Sequence, residues 1–229
     1  MPRIISESAR IARYVKISEN VIIKDNVEIG ENTIIANNVL IEKGTRIGKN
    51  CFIEDNTILG NNPESIDKVP PLILEDNVRI GANVVIYAGA KLMGNVIIDD
   101  LSTIGELTTV EQNSYVAIGA FIGSNVSIGK WVRIGARTYI SSHSVINDYC
   151  EIGANVKFSE ELAKSYYEAN DIISTIIEDN CKIGDNTLIL RGVKIGRKVV
   201  VLEGSRVMFD LDANKIYKGD PATEFYDFS

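Results

Sequence analysis

An apolar residue returns at every sixth position along almost the entire chain. In a typical hexad, Ile23-Lys24-Asp25-Asn26-Val27-Glu28, the first and fifth residues are apolar and the third and fourth are polar. This period is neither the 3.6 residues of an amphipathic helix nor the two-residue alternation of a long strand. It predicts short strands joined by tight turns, in which the first and fifth side chains point inward and the polar pair forms the turn.

Thirty hexads fall into three uninterrupted runs. The first residues of these hexads run from Ile11 to Leu59, from Leu74 to Phe158 and from Ile177 to Val207. Three hexads close one triangular coil, and successive coils stack their strands in parallel. The sequence therefore predicts an all-β protein with one domain: a parallel β-helix of about ten coils over residues 1–208, followed by a short C-terminal tail over residues 209–229.

Two loops interrupt the hexads, at residues 61–73 and 159–176. The first contains three of the five prolines. If the strand at Ile11 lies on face one, those at Ile17 and Ile23 lie on faces two and three, and the assignment repeats with every coil. Both loops then leave the corner between faces three and one, which we call the loop corner. Because long loops in a compact fold tend to be functional, this corner is the predicted site.

The fourth residue of most hexads is Asn or Gly, which tolerate the left-handed backbone conformation of a sharp corner. Six later turns break this rule, at Leu101, Leu107, Trp131, Arg137, His143 and Tyr149. Since non-glycine residues in strained turns cluster at functional sites, these positions are candidates for function. The alternative interpretation is that the last four corners use another turn type and pack against a neighbouring subunit.

The loop corner carries the candidate chemistry. His143 is the only histidine of the chain, Glu106 lies in the turn two coils earlier, and Tyr87 follows Ile86 one coil earlier still. An imidazole has an unperturbed pKa of about 6.5, which suits a general base at neutral pH. Two plainer interpretations stay open. Histidine tolerates a positive φ better than most residues, and Glu106 is equally well explained as a solvated surface charge.

The hexad pattern resembles that of the hexapeptide-repeat acyltransferases: Ile, Leu or Val, then Gly or Glu, any residue, Asn, a small residue and any residue. That resemblance implies left-handed coils. Three shorter stretches resemble the nucleotide-linked amino-sugar N-acetyltransferases of this superfamily, namely Pro70-Pro71-Leu72-Ile73, Thr103-Ile104-Gly105-Glu106 and Gly219-Asp220-Pro221-Ala222. In one departure from those relatives, Gly105 stands where they have an arginine.

The resemblance implies an acyltransferase that uses acetyl-CoA as co-substrate, needs no metal, and acetylates an amino or hydroxyl group of a nucleotide-linked sugar. It also implies a homotrimer with CoA in a groove between neighbouring prisms. The candidate catalytic residues are His143 and Glu106, either of which can be the base. The candidate substrate-binding residues are Asn62, Tyr87, Arg137, Tyr166 and Tyr167. The candidate CoA-binding residues, for which a solvated basic face is the alternative, are Arg191, Lys194, Arg197 and Lys198.

Composition narrows the class of protein. A net charge of −7 and a pI of about 4.9 argue against nucleic acid as a partner, because phosphate binding needs a basic face. No run of eighteen apolar residues predicts membrane insertion, and no apolar segment of a signal peptide is present, so we expect a cytoplasmic protein. The cysteines, Cys51, Cys150 and Cys181, occupy inward fifth positions, and we expect them to be buried and reduced.

Other functions are known for this fold. A γ-type carbonic anhydrase binds zinc through three histidines, and one histidine per chain argues against that interpretation. A sugar-phosphate nucleotidyltransferase would need a large α/β domain before the repeats, which begin near residue 11. A non-catalytic scaffold or assembly subunit stays open as the alternative function.

Overall fold

The computed structural model describes residues 3–62, 69–162 and 174–227, without the side chains of residues 160–162. In these ranges all regular secondary structure is β-strand. The strands are β1 (Ile4–Ile5), β2 (Arg10–Ile11), β3 (Lys16–Ile17), β4 (Ile22–Ile23), β5 (Glu28–Ile29), β6 (Ile34–Ile35), β7 (Leu40–Ile41), β8 (Arg46–Ile47), β9 (Phe52–Ile53), β10 (Ile58–Asn61), β11 (Ile73–Leu74), β12 (Arg79–Ile80), β13 (Val85–Tyr87), β14 (Lys91–Leu92), β15 (Ile97–Ile98), β16 (Thr103–Ile104), β17 (Thr109–Val110), β18 (Tyr115–Val116), β19 (Phe121–Ile122), β20 (Ser127–Ile128), β21 (Arg133–Ile134), β22 (Tyr139–Ile140), β23 (Val145–Ile146), β24 (Glu151–Ile152), β25 (Lys157–Leu162), β26 (Ile176–Ile177), β27 (Lys182–Ile183), β28 (Leu188–Arg191), β29 (Lys194–Ile195), β30 (Val200–Val201), β31 (Arg206–Val207), β32 (Lys215–Gly219) and β33 (Ala222–Asp227).

Three sheets form the three faces of the predicted prism. Face one contains every third strand from β2 to β29, face two those from β3 to β30 followed by β32 and β33, and face three those from β1 to β31. Neighbours pair in parallel and in register, as Ile86 does with Ile104 on face three. The predicted all-β class is confirmed, and the architecture is consistent with the left-handed parallel β-helix that the resemblance implies.

One continuous apolar core runs along the prism axis. First-position side chains such as Ile35 and Ile98, and fifth-position side chains such as Val84, have no exposed surface. Burial of each isoleucine contributes about 1.5–3 kcal/mol relative to an exposed side chain. The first coil is more open, because Ile5 is 40% exposed and Ile11 is 37% exposed. Each inner coil is therefore stabilised by the coils on both sides of it.

The turns share one backbone conformation. Asn38 has φ = 58°, and its amide donates a hydrogen bond to the Glu19 carbonyl of the preceding coil at 3.0 Å. Trp131 has the same φ of 58° and donates to the Gln112 carbonyl at 3.1 Å. Tyr149 also has a left-handed φ, of 60°. The interpretation that the unusual corners use another turn type is therefore wrong, and their side chains occupy a conformation that favours Asn or Gly.

Both ends extend beyond the predicted hexads. β1 adds a strand before Ile11, since Ile5 pairs with Ile23. The predicted tail from residue 209 continues the stack, because Leu211 bridges Ile195 and Tyr217 pairs with Val201, before β33 turns back antiparallel to β32. β25 also runs past the predicted start of the second loop at 159.

The three cysteines are free and buried, as the sequence predicts. The Cys150 thiol donates to the Glu178 carbonyl at 3.1 Å, and the Cys181 thiol donates to the Gly196 carbonyl at 3.0 Å. Burial raises the pKa of the Cys51 thiol. These side chains therefore serve as small core residues that satisfy carbonyl groups between coils.

Candidate functional site

The loop corner holds five of the nine candidate residues that lie in the described part of the chain. The strands before both interruptions, β10 and β25, belong to face three, and the strands after them, β11 and β26, belong to face one. The turns that contain Glu106 and His143 follow β16 and β22, which are also face-three strands. The predicted placement of both loops at one corner, together with the sole histidine, is therefore confirmed.

His143 is held in a turn built from serines. Its φ is 64°, and its amide donates to the Ser124 carbonyl at 3.0 Å. The Ser124 amide donates to Ser142 Oγ at 3.1 Å, and the buried Ser144 hydroxyl donates to the Ser141 carbonyl at 2.7 Å. The imidazole itself is half-buried. These hydrogen bonds fix the backbone of the turn and present the histidine at the corner.

Glu106 lies two turns earlier on the same corner and is also half-buried. Its carbonyl accepts a hydrogen bond from the Asn125 amide at 2.8 Å, so the turn of Asn125 separates it from His143. Two strand spacings amount to about 10 Å. The structure thus places Glu106 and His143 on one edge but does not bring them into contact, which favours separate roles.

The glycines beside these turns on face three lie close to the backbone of the next coil. A Cβ added at Gly105 would lie 2.5 Å from the carbonyl carbon of Gly123, and one added at Gly123 would lie 2.6 Å from the Ser142 amide nitrogen. Such distances exclude any side chain unless the backbone moves. The stacked backbones therefore leave no room for a side chain at Gly105, where the resembling N-acetyltransferases have an arginine.

The first interruption borders a groove of about 500 Å³ on the loop corner. Its lining includes Asn62, Pro70, Pro71 and Gly44. Where the chain returns from the interruption, Val69 and Leu107 both lie over Gly89, since a Cβ there would be 3.1 Å and 2.6 Å from them. Leu107 therefore lies near Val69, which lines the groove, but the groove lining does not include Glu106, and His143 lies two coils beyond that turn.

Three further predicted residues flank the corner. Asn62 lines the groove, and the half-buried Tyr87 ends β13, where its Cα pairs with Asn61. Arg191 ends β28 on face three, one coil beyond β25. The loop corner therefore holds one candidate from each predicted role: catalysis, substrate binding and CoA binding.

Other predicted residues lie elsewhere. Arg137 occupies the corner between faces two and three, with φ = 56°, and its Cγ lies 3.7 Å from where a Cβ would be at Gly119. Tyr166 and Tyr167 lie outside the described residues.

The predicted CoA-binding residues do not form one patch. Lys194 lies on face one, where its ammonium group contacts Glu178 Oε1 at 2.9 Å. This hydrogen bond lowers the pKa of Glu178 and raises that of Lys194. Arg197 and Lys198 are exposed and form the turn that leads to face two, away from Arg191 at the loop corner.

A second groove, of about 480 Å³, runs along face two beside Gly135, Gly153 and Gly184. Arg133, whose guanidinium carbon lies 5.1 Å from the ring centre of Tyr115, lines it. This groove contains no histidine and lies away from the loop corner.

Sequence reasoning missed several neighbours of the site. The serines around His143 form the run Ser141-Ser142-His143-Ser144. This cluster of hydroxyl residues in one turn could have indicated from the sequence that hydrogen bonds hold the turn. Sequence reasoning also missed the stacked rings of Phe121 and Tyr139 on face three, which follow directly from residues one coil apart.

Two negative observations concern the described residues alone. Within residues 3–62, 69–162 and 174–227, no group of three His, Cys, Asp or Glu side chains is arranged to hold a metal ion. In the same ranges no helix has the length and apolar character needed to cross a membrane.

Two family models match the repeats. The model for the bacterial transferase hexapeptide (six repeats) matches residues 8–43, 77–112 and 174–208. The model for the hexapeptide repeat of succinyl-transferase matches residues 52–88. Together the two models cover more than half of the chain, on both sides of each interruption.

Comparisons with individual proteins give shorter or weaker matches. A 2,3,4,5-tetrahydropyridine-2,6-dicarboxylate N-acetyltransferase of Clostridium perfringens is 51% identical over 47 residues. That stretch is 20% of this chain and only 20% of the relative's length. The solved UDP-N-acetylglucosamine acyltransferase of Francisella novicida matches 98% of this chain and 67% of its own, with 21% identity and a TM-score of 0.50. An N-acyltransferase of Bacillus cereus, solved with dTDP and coenzyme A, matches 67% of this chain and 84% of its own, with 20% identity and a TM-score of 0.44. At these identities the structural likeness concerns the fold.

Proposed function

The chain belongs to the hexapeptide-repeat acyltransferase superfamily, and we propose that it transfers an acetyl group from acetyl-CoA to an amino or hydroxyl group of a nucleotide-linked sugar at the loop corner. The observation that carries this proposal is the sole histidine. It sits in a left-handed turn at the corner where both interruptions leave the prism. No feature of the coil requires a histidine there, because Asn and Gly fill most equivalent turns.

The chemistry needs a base that removes the proton of the acceptor as its nitrogen or oxygen attacks the thioester carbonyl. The departing CoA thiolate must then be protonated. A half-buried imidazole suits the first task, and a proton held by the imidazole can satisfy the second. Glu106 lies two coils nearer to the first interruption than His143. It is proposed to hold the sugar or to serve as base in place of His143.

The remaining predicted partners belong to the same proposal. Arg191 is the best placed of the four basic residues to meet a CoA phosphate, because it ends a face-three strand at the loop corner whereas Lys194 lies on face one. We propose a cytoplasmic homotrimer. Three free buried cysteines suit a reducing compartment, and Trp131 and Tyr149, each 55% exposed in consecutive coils, suit an interface with another copy. Light scattering at micromolar concentration tests the oligomeric state, and a monomer contradicts it.

Release of free CoA thiol in the presence of UDP- and dTDP-linked amino sugars tests the activity. We expect His143→Ala to lower kcat by about 10²–10⁴-fold with little change in KM, as is usual for loss of a general base. Full activity of His143→Ala together with loss in Glu106→Gln moves the base to Glu106. An absence of turnover with every acetyl donor and acceptor, in a protein that assembles normally, favours the scaffold function.

A further inference from the structure

A pair of stacked aromatic rings lies on the outer surface of face three, in the coils between Glu106 and His143. Phe121 and Tyr139 are Cα partners in β19 and β22, with ring centres 5.3 Å apart and planes 11° from parallel. Phe121 is 44% exposed. We call this pair the aromatic platform. Each ring begins the strand whose following turn belongs to the loop corner, so the platform and the proposed chemistry share one side of the molecule.

One face of the platform is open to a ligand ring. The rings stack along the ladder of face three, and the residue before Phe121 in that ladder is Thr103. A threonine is too short to cover the ring of Phe121 as Tyr139 does on its other side.

Two cations flank the platform in an acidic protein. Lys157 follows Tyr139 in the same ladder and is exposed. Arg137 precedes Tyr139 by two residues, and its stem lies over Gly119, two residues before Phe121. Among the described residues, neither cation forms an ion pair. A flat apolar surface bordered by unpaired positive charge matches a planar base attached to phosphates, since bases stack on aromatic rings and phosphates seek Arg and Lys.

We propose that the aromatic platform and its two flanking cations bind a nucleotide, with the base stacked on Phe121 and the phosphates held by Lys157 and Arg137. The proposal deepens the proposed function, on which it rests for the expectation that a co-substrate carries the nucleotide. The chemistry is shared by two sources, the pyrimidine nucleotide of the acceptor sugar and the adenine nucleotide of CoA. His143 is four positions after Tyr139, at most about 13 Å of extended chain. A ligand anchored on the platform is therefore within reach of the His143 imidazole.

Titration calorimetry with UDP, dTDP, ADP and CoA, each with the full chain, tests the stacking. We expect Phe121→Leu to weaken binding of one nucleotide class roughly 5- to 100-fold, the usual effect of losing one base–aromatic stack. Phe121→Tyr, which keeps the ring, should bind as the parent does. Phe52→Leu is the matched control, because Phe52 occupies the same outward strand position on face two and is 37% exposed. That control should change affinity less than twofold.

Lys157→Ala tests the phosphate contact. It should weaken binding of UDP or ADP while leaving the corresponding nucleoside unchanged, and the difference should shrink at high salt because the contact is electrostatic. Lys91→Ala is the control, since Lys91 holds the equivalent outward position on face one and is also exposed. Loss confined to UDP and dTDP assigns the platform to the acceptor, and loss confined to ADP and CoA assigns it to the donor.

Three results overturn the proposal: no nucleotide binds the parent chain, Phe121→Leu and Phe52→Leu weaken binding equally, or Phe121→Leu acts only by dissociating an oligomer. The proposed function fails separately. A chain that acetylates a sugar with unchanged KM values in Phe121→Leu keeps its function and loses this site. A chain that binds nucleotides through Phe121 without turnover keeps the site and loses the acyltransferase assignment.

Discussion

The first and the middle coils have the same backbone but different side chains at their turns. In the first coils Asn20, Asn38 and Asn56 form a ladder, with amide-to-oxygen distances of 2.9 Å and 3.0 Å between coils. In the middle coils Leu101 and Arg137 occupy the same corner with φ of 61° and 56° and no such ladder. Left-handed conformation costs an ordinary residue about 1–2 kcal/mol. At this corner the asparagine ladder of the first coils is the less strained solution, so Leu101 and Arg137 carry a conformational cost that the coil itself does not require.

The largest effect should come from the backbone that both regions share. A Cβ at Gly30 would lie 2.6 Å from the Gly48 carbonyl carbon, and one at Gly105 would lie 2.5 Å from that of Gly123. We expect Gly30→Ala and Gly105→Ala each to lower the free energy of unfolding by about 3 kcal/mol or more, because coils must separate to admit the methyl group. Denaturant titration measures this. Gly94→Ala, whose new Cβ would meet nothing closer than 3.6 Å, is the control. A tolerated Gly105→Ala would mean that the middle coils pack more loosely than the first.

A smaller effect of opposite sign is expected at the turns themselves. Trp131→Asn and Tyr149→Asn should each raise the intrinsic free energy of unfolding of one chain by about 1 kcal/mol, because Asn tolerates the left-handed region, while weakening the proposed interface with another copy. Trp131→Asn also places an amide beside Asn113, which already accepts from Asn95 at 3.2 Å. The reverse change, Asn113→Trp, should destabilise by a similar amount. Equal stability of all variants would show that packing around the aromatic rings offsets the strain.

The sequence predicts the repeated parts of this molecule well, because every hexad repeats the same physical requirement. The period assigns each strand to a face, and from that both interruptions and His143 fall on one corner. The period also implies side-chain contacts between neighbouring coils that the first subsection does not predict. Phe121 and Tyr139 touch because they are one coil apart, as do Arg10 and Glu28.

Departures from the period could not be predicted in the same way. Val201 pairs with Tyr217 rather than with a residue one full coil later, so the last coil is shorter than the others. The Lys215 ammonium group contacts Glu224 at 2.9 Å across β32 and β33, and the hexad period does not predict this contact. The roles of side chains at the site could not be predicted from the period either. The hydrogen bonds of the serines around His143 depend on the local positions of their hydroxyl groups, which the period does not determine.

The smallest effect should come from the surface ion pair on face one. Hydrogen bonding to Lys194 lowers the pKa of Glu178 below its ordinary value. A carboxyl with a lowered pKa in the folded state stabilises the fold above its unfolded pKa of about 4.3, and this contribution is lost as pH falls through the folded value. Glu178→Gln should therefore cost less than about 1 kcal/mol at pH 7, because the pair is exposed. The cost should shrink as pH falls through the lowered pKa of Glu178 and vanish once both states are protonated. A cost that persists there would mean that Glu178 acts by packing rather than by charge.

The most direct test of the loop corner as a site of acyl transfer is His143→Asn, assayed for both stability and turnover. Asparagine suits the turn, so the variant should unfold at the same or a higher denaturant concentration than the parent, while lacking an imidazole that could act as base. The account predicts unchanged or increased stability with kcat lowered by about 10²–10⁴-fold. A stable variant with full acetyl transfer would contradict it and remove His143 from the chemistry.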